Sequence, residues 1–242
     1  MHTLEDVQAA AALFCRIWRT PADRPPLSAE VMRALEHAGA YVAGAWDGGE
    51  LVGASAGFLG LEGVAPLLHS HISGVGRPGR GIGVALKLHQ RAWALERGIT
   101  AITWTFDPLV RRNAWFNLTK LGAVGVEHLV DFYGPMTDGV NSGESSDRLL
   151  CRWDLTAPVR PHDGDGGVEV LAEREGLPLA RPGAAGDVRL VALPPDIEAL
   201  RRADPGASAA WRLAVRDALE AGFSAGLRAR GTTRTGQLVL AP

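Results

Sequence analysis

Apolar residues near the start of the chain recur at helical spacing, with Val7, Ala10, Ala11, Phe14, Cys15 and Trp18 on one stripe. This spacing predicts an amphipathic helix over Leu4 to Trp18. The proline-rich stretch from Thr20 to Pro26 ends it, and Ser28 is placed to cap a second helix carrying Met32, Leu35 and Ala38 before Gly39. From Ala40 the period shortens. The runs YVAGAW and LVGASAGFLG flank Asp47-Gly48-Gly49, the pattern of a β-hairpin, and a third strand is expected from about Leu67 to Val75. Gly81 to Arg97 reads as a helix with Ile82, Ala85, Leu86, His89 and Trp93 on one face and Gly98 as its stop. A strand over Ile99 to Phe106 closes at Asp107-Pro108, and Arg111 to Leu121 reads as a short helix ended by Gly122. Two strand candidates follow, near Val124 to Tyr133 and Arg148 to Leu155.

Periodicity fades from Ala157 to Gly186, where Pro, Gly and Asp dominate, and extended or mobile connections are expected. Structure is expected again as a strand at Val188 to Leu193, helices at Asp196 to Ala203 and Ser208 to Ala221, and a last strand at Gln237 to Ala241. The order gives an α/β (α+β) fold, a mixed sheet flanked by helices with a small C-terminal α/β lobe. The expected division is a main domain over 1–155, a connection over 156–186 and the lobe over 187–242, whose elements look too few to bury a core alone.

Composition narrows the classes. The chain has 242 residues, 46% hydrophobic and 21% charged, without an apolar run long enough to span a bilayer. Its 25 Lys and Arg against 27 Asp and Glu leave a formal charge of −2, so no general field for nucleic acid or membrane exists and any anion site must be local. Cys15 and Cys151 are the only cysteines, and the N-terminus shows no secretory pattern. A reduced, cytoplasmic protein without a disulfide framework or a metal site is expected.

One stretch carries chemistry. HSHISGV leads through Gly76-Arg77-Pro78 into Gly79-Arg80-Gly81-Ile82-Gly83-Val84, where a helix begins. Glycines let a ligand approach the backbone, and free N–H groups at a helix start attract phosphate, with Arg77 and Arg80 adding charge. A tight turn with glycines only for positive φ is the plain alternative. A dinucleotide site is another, since Asp107 ends the next strand about where a ribose-binding acid would sit. Against it, Val84 occupies the third fingerprint position and some 65 residues precede the supposed first strand.

Together HSHISGV, RGIGVALKLHQRAWALERGI, WTFDPL, NAWFNLTKLGA, FYG and DRLLCRWDL resemble the GNAT acyltransferase superfamily over about residues 1–155. They resemble one subgroup, some of whose members accompany N-succinylamino-acid racemases and are linked to succinyl transfer to D-amino acids. The resemblance implies that backbone amides of Arg80 to Val84 hold the diphosphate of coenzyme A. It also implies that pantetheine runs between the strand of His71, which ends at Val75, and that of Thr103. Acetyl-CoA or succinyl-CoA would be the donor. Three departures stand out. Pro78 occupies the place of the usual Arg or Gln opening the phosphate motif, Leu118 that of the tyrosine that usually protonates the thiolate, and the C-terminal extension exceeds a minimal domain of the family.

Acyl transfer to an amine needs a base near the amine and donors for the thioester oxygen. His69 and His71 share one strand face and are the candidate bases, with packing in the core as their plain alternative. Tyr133 is the candidate replacement acid. Asp107, Asn113 and Asn117 are candidates for cofactor contact, each with a capping or solvent-facing alternative. Arg148, and the pair Arg212 and Arg216 one helical turn apart, are candidates for a substrate carboxylate, with structural salt bridges as the alternative. The reading is a cytoplasmic acyl-CoA-dependent N-acyltransferase acting on a small amine or amino acid, without nucleic-acid, membrane or metal partners, and a homodimer stays open. The rivals are a non-catalytic acyl-CoA-binding or regulatory protein and an NAD(P)-binding oxidoreductase. No G-x-S-x-G elbow argues for a covalent hydrolase.

Overall fold

The computed structural model describes residues 1–77, 79–141, 143–157 and 160–242. They form two compact units, Met1–Trp104 with Thr137–Ser142, and Thr105–Met136 with Gly143–Pro242.

In the first unit, α1 (Leu4–Trp18) opens with a capping box in which Thr3 Oγ1 accepts from the Asp6 N–H and the Asp6 carboxylate accepts from that of Thr3. α2 (Ala29–His37) is capped by Ser28 as its sequence predicts. Strands β1 (Tyr41–Asp47), β2 (Glu50–Glu62) and β3 (Ala65–Val75) run antiparallel. β1 and β2 join through Gly48 and Gly49, whose φ of 56° and 85° suit the mirror-image turn that follows strand twist. β4 (Ala101–Phe106) lies parallel to β3, and its last two residues begin the second unit. Val7, Leu13, Phe14 and Met32 pack with Val42, Leu51, Ala54 and Ile72 as this unit's core.

The helix after the glycine turn, α3 (Ile82–Leu95), buries a different stripe from the expected one. Leu86, Lys87, Gln90 and Ala94 are buried, while Ala85 and His89 are exposed. The reason is polar: Lys87 donates to Ser70 Oγ at 2.9 Å and to Gln90 Oε1 at 3.2 Å, and its ammonium lies 3.9 Å from the centroid of the Trp104 ring. These partners replace enough of the lost hydration to let a lysine face inward.

The second unit starts with a single turn, α4 (Arg111–Ala114), that widens into a π-helix over Trp115–Lys120. Its sheet contains β5 (Val124–Leu129), β6 (Arg148–Asp154), β7 (Val168–Arg174), β8 (Leu177–Ala180), β9 (Arg189–Val191), β10 (Arg228–Thr232) and β11 (Leu238–Ala241), ordered β6-β5-β10-β11-β9-β7-β8. All neighbours are antiparallel except β7 and β9. The stretch expected as connection contains the β7–β8 hairpin, and β10 pairs with β5 through Ala229 and Gly125. The C-terminal segment thus shares a sheet with β5 and β6, which supplies the apolar surface its few elements lack. Helices α5 (Ile197–Ala203) and α6 (Pro205–Ser224) are capped by Asp196 and Asp204, and α6 buries Trp211, Val215 and Leu219. No helix among the described residues is long and apolar enough to cross a membrane.

Candidate functional site

In the first unit β3 and β4 are neighbours over a short distance only. Their register joins Leu68 to Ile102 and His69 to Thr103 and goes no further among the described residues. β3 stays paired to β2 through Val75, so from Ser70 onward one edge of β3 is a strand without a strand beside it. Its backbone groups there are free to bind an extended amide chain as another strand would.

The glycine turn lies just beyond the end of this edge. Gly79 and Gly81 have φ of 93° and 74°, a left-handed conformation that glycine adopts without strain, and nothing lies within 4 Å of where a Cβ would stand on either. Gly81 is the N-cap of α3, and no side chain caps that end. The N–H groups of Ile82, Gly83 and Val84 occupy the positive end of a 14-residue helix. Arg77 and Arg80 flank them, held by the β1–β2 hairpin: Arg77 donates to Glu50 and Arg80 to Asp47, each at 2.7 Å and exposed to solvent. Such pairs contribute about 0–1 kcal/mol, so either guanidinium can exchange its carboxylate for a phosphate at little cost. An open helix start, unhindered glycines and a free strand edge in sequence fit a diphosphate followed by a pantetheine arm. Pro78 lies outside the described residues.

His69 and His71 stand on one face of β3 beside Phe58 of β2, with ring centroids 5.1 and 5.7 Å from it. His69 Nδ1 lies 3.2 Å from Thr103 Oγ1. Lost hydration lowers the pKa of both rings, and His71 and Lys87 lower that of His69 further. Both shifts favour the neutral imidazole, the form that accepts a proton.

The remaining candidates belong to the second unit, where Asp107, Arg212 and Arg216 join a charged network. Asp107 is 6% exposed and is gripped by the Arg212 fork at 2.6 and 2.8 Å, with the Leu109 N–H at 3.0 Å. Arg201 bridges Asp107 and Glu144, 3.4 and 3.1 Å away, and Glu144 also accepts from Ser208. Burial raises the Asp107 carboxyl, but the Arg212 fork, the Arg148 charge and the Leu109 N–H outweigh it and hold the group below the usual carboxylate range. Arg216 forks onto Asp147 at 2.8 and 2.9 Å. Asp147 also accepts from Ser145 and the Asp131 N–H and lies 3.6 Å from the His128 ring. Despite burial these donors bring its carboxyl far below the ordinary range.

Arg148 donates to the Asp147 carbonyl and to Met136 Sδ, 5.3 Å from the centroid of the Tyr133 ring. The Tyr133 hydroxyl is 3.1 Å from Thr105 Oγ1. Asn117 is buried in the π-helix beside the fully buried Leu118, and Asn113 is half-buried in α4. Sequence reasoning singled out neither Lys87 and Gln90 nor Glu144 and Arg201. A lysine and a glutamine three apart inside an otherwise apolar helix were the available signal for the first pair; only the folded chain gathers the second.

No protein-family model matches the chain, and no curated protein matches it. Solved structures do. A ribosomal-protein-alanine N-acetyltransferase from Brucella melitensis is 18% identical, with a TM-score of 0.51 over 64% of this chain and 98% of that one. A candidate acetyltransferase from Salmonella typhimurium, solved with its cofactor acetyl-CoA, is 16% identical with a TM-score of 0.51 over 64% and 94%. An N-acetyltransferase from Staphylococcus aureus is 14% identical with a TM-score of 0.50 over 64% and 95%. At these identities the likeness is one of architecture, and the chain carries the fold of the GNAT N-acetyltransferases.

Proposed function

We propose that the protein is an acyl-CoA-dependent N-acyltransferase acting on a small amine. The observation that carries this reading is the parting of β3 from β4 after His69, with an uncapped, glycine-opened helix at the end of the freed edge. Coenzyme A would bring the acyl group as a thioester. The N–H groups of Ile82, Gly83 and Val84, with Arg77 and Arg80, would hold its diphosphate, and the β3 edge up to Val75 would align its amides. The substrate amine then bonds to the thioester carbon as the carbon–sulfur bond breaks, and its proton passes to His71 or His69, whose lowered pKa values favour the proton-accepting form. The thiolate takes up a proton in turn, for which Tyr133 is the proposed donor. Asp107, Asn113 and Asn117 as further cofactor contacts belong to the same reading, although the Asp107 carboxylate already serves Arg212.

The narrower reading, succinyl transfer to an amino acid, rests on the subgroup resemblance. Its nominees for two substrate carboxylates are Arg148, Arg212 and Arg216. Of these Arg212 and Arg216 already hold internal carboxylates, with side chains 4% and 21% exposed. A non-catalytic acyl-CoA-binding protein is the second reading, favoured by Leu118, which is fully buried apolar core where the resemblance puts an acidic hydroxyl.

Release of free thiol from acetyl-CoA and succinyl-CoA with a panel of amines and amino acids separates the two readings. An enzyme releases thiol in step with amide, whereas a binder holds coenzyme A and releases none. In an enzyme, His71→Gln with His69→Gln should lower kcat/KM by about 100-fold or more, and Tyr133→Phe should lower kcat. Unchanged turnover in the double histidine variant sinks the assignment of the base.

A further inference from the structure

The α3 lysine reaches the place where the two strands part. Ser70 and Trp104 are the first residues after the last registered pair, His69 with Thr103. Lys87 Nζ binds both, donating to Ser70 Oγ at 2.9 Å and lying 3.9 Å from the Trp104 ring centroid. Gln90, one turn along α3 and fully buried, fixes the ammonium from its own helix at 3.2 Å. Lys87 itself is only 5% exposed. A side chain without charge would pack there as well and need none of these partners, so the cation is a costly choice whose effect must be sought nearby.

Contacts supply the direction, because the β2–β3 register is irregular here. Ser70 meets α3 through Lys87, whereas the His69 and His71 rings lie beside Phe58 of β2. We propose that Lys87 is a positioning residue for the acyl-transfer site, its ammonium bracing the root of the β3–β4 split and acting on the His69 ring through the strand between them. The inference rests on the N-acyltransferase reading for its catalytic meaning. Its two physical parts are separate. Tying Ser70 to Trp104 fixes how far the strands stand apart, and thus the width of the groove open to a thioester arm. The charge in turn opposes a second positive charge on His69. The charged or titratable neighbours of His69 are His71 on its own strand and Lys87 from α3, while β2 presents Phe58 and β4 presents Thr103.

The test compares Lys87→Met and Lys87→Arg with the parent chain. Ring titrations of His69 and His71 are followed by NMR in the ligand-free protein, and the pH profile of kcat/KM is measured with acetyl-CoA and the best amine. Lys87→Met should move the His69 midpoint upward by roughly half a unit and His71 by less. The acid limb of kcat/KM should move with His69, and KM for acetyl-CoA should rise about threefold to tenfold as the groove loses its brace. Lys87→Arg should restore the titration and leave KM raised, because it keeps the charge and changes the fit. An unmoved His69 midpoint in Lys87→Met overturns the proposal, as does a purely uniform loss of kcat with the pH profile unchanged. Should Lys87→Met fail to fold, Lys87→Gln carries the same titration, and Ser70→Ala should raise KM alone. The titration needs no turnover. If the parent chain shows no thiol release, the N-acyltransferase reading fails while the action of Lys87 on His69 is still decided.

Discussion

Arginine serves opposite ends in the two units. Arg77 and Arg80 sit in solvent beside the glycine turn, each in a single contact with a hairpin carboxylate. Arg212 and Arg216 are forked onto Asp107 and Asp147, carboxylates that are 6% and 1% exposed. The residue type is the same, and the surroundings decide what it does. An exposed pair is screened and easily exchanged, so it keeps a cation available for an incoming anion. A buried pair must stay together, because either partner alone is a charge without water. A basic residue is therefore a ligand-binding candidate when its present partner is cheap to leave.

The largest expected effect breaks the buried side of this comparison. Asp107→Asn should cost about 3 kcal/mol, since it removes the carboxylate held by both arms of the Arg212 fork and leaves Glu144, at 3.3 Å, as the acid beside it, and Asp107→Leu with Arg212→Leu should recover much of that loss. Urea midpoints of the three proteins check this; equal midpoints for Asp107→Asn and the parent would show that the fork does nothing for stability.

Acid should reveal the same interior more gradually. Asp107 and Asp147 have folded pKa values below those of the unfolded chain. Their contribution is thus complete above the unfolded value of about 4 and is lost as pH falls through the folded ones. Stability measured from pH 6 down to pH 2 should fall, and Asp147→Asn should be less stable at pH 6 with a shallower fall. A parallel fall in the two proteins would show that Asp147 is not linked.

On the exposed side, Arg77→Ala with Arg80→Ala should weaken coenzyme A binding about tenfold at low salt, and less at high salt, while moving stability by under about 0.5 kcal/mol. Calorimetry at two ionic strengths reads both. A loss of several kcal/mol in stability instead would remove the contrast between the units. The smallest effect should come from releasing the same arginines: Asp47→Asn with Glu50→Gln is expected to tighten coenzyme A binding about twofold, and weaker binding would mean that the hairpin acids position the guanidiniums instead of competing for them.

Local rules made much of this legible. The stripe in α1, the serine before α2 and Asp47-Gly48-Gly49 each act within a few residues, and the structure places those elements where the pattern does. Other features depended on distant partners. The β7–β8 hairpin turns on Glu175-Gly176, both at positive φ, a weaker signal than Asn-Gly or Asp-Gly, and its outer strand β8 is mostly exposed. Arg228 and Arg230 disguised β10, where Ala229, Gly231 and Thr232 are the buried residues. In the site, the glycine turn and both histidines were visible because spacing alone singles them out. Lys87 was not, because a lysine inside a helix reads as surface until Ser70, Gln90 and Trp104 close around it. The width of the π-helix over Trp115–Lys120 was hidden too, since expecting Asn113 and Asn117 to lie one turn apart assumes an α-helical pitch.

The free edge of β3 has a bearing on handling as well as on chemistry. From Ser70 to Val75 it is a short strand edge whose only titratable side chain is His71. Open edges of this kind are templates for a foreign strand, and neither lysine nor proline guards these residues; the protection present is a shift in the β2–β3 register, where Ser70 and His71 stand opposite Gly57 alone. A bound pantetheine arm would occupy the same backbone groups. On the proposed function, concentrated protein is therefore expected to stay dispersed longer with coenzyme A in the buffer than without it, the ligand acting as a guard against self-association.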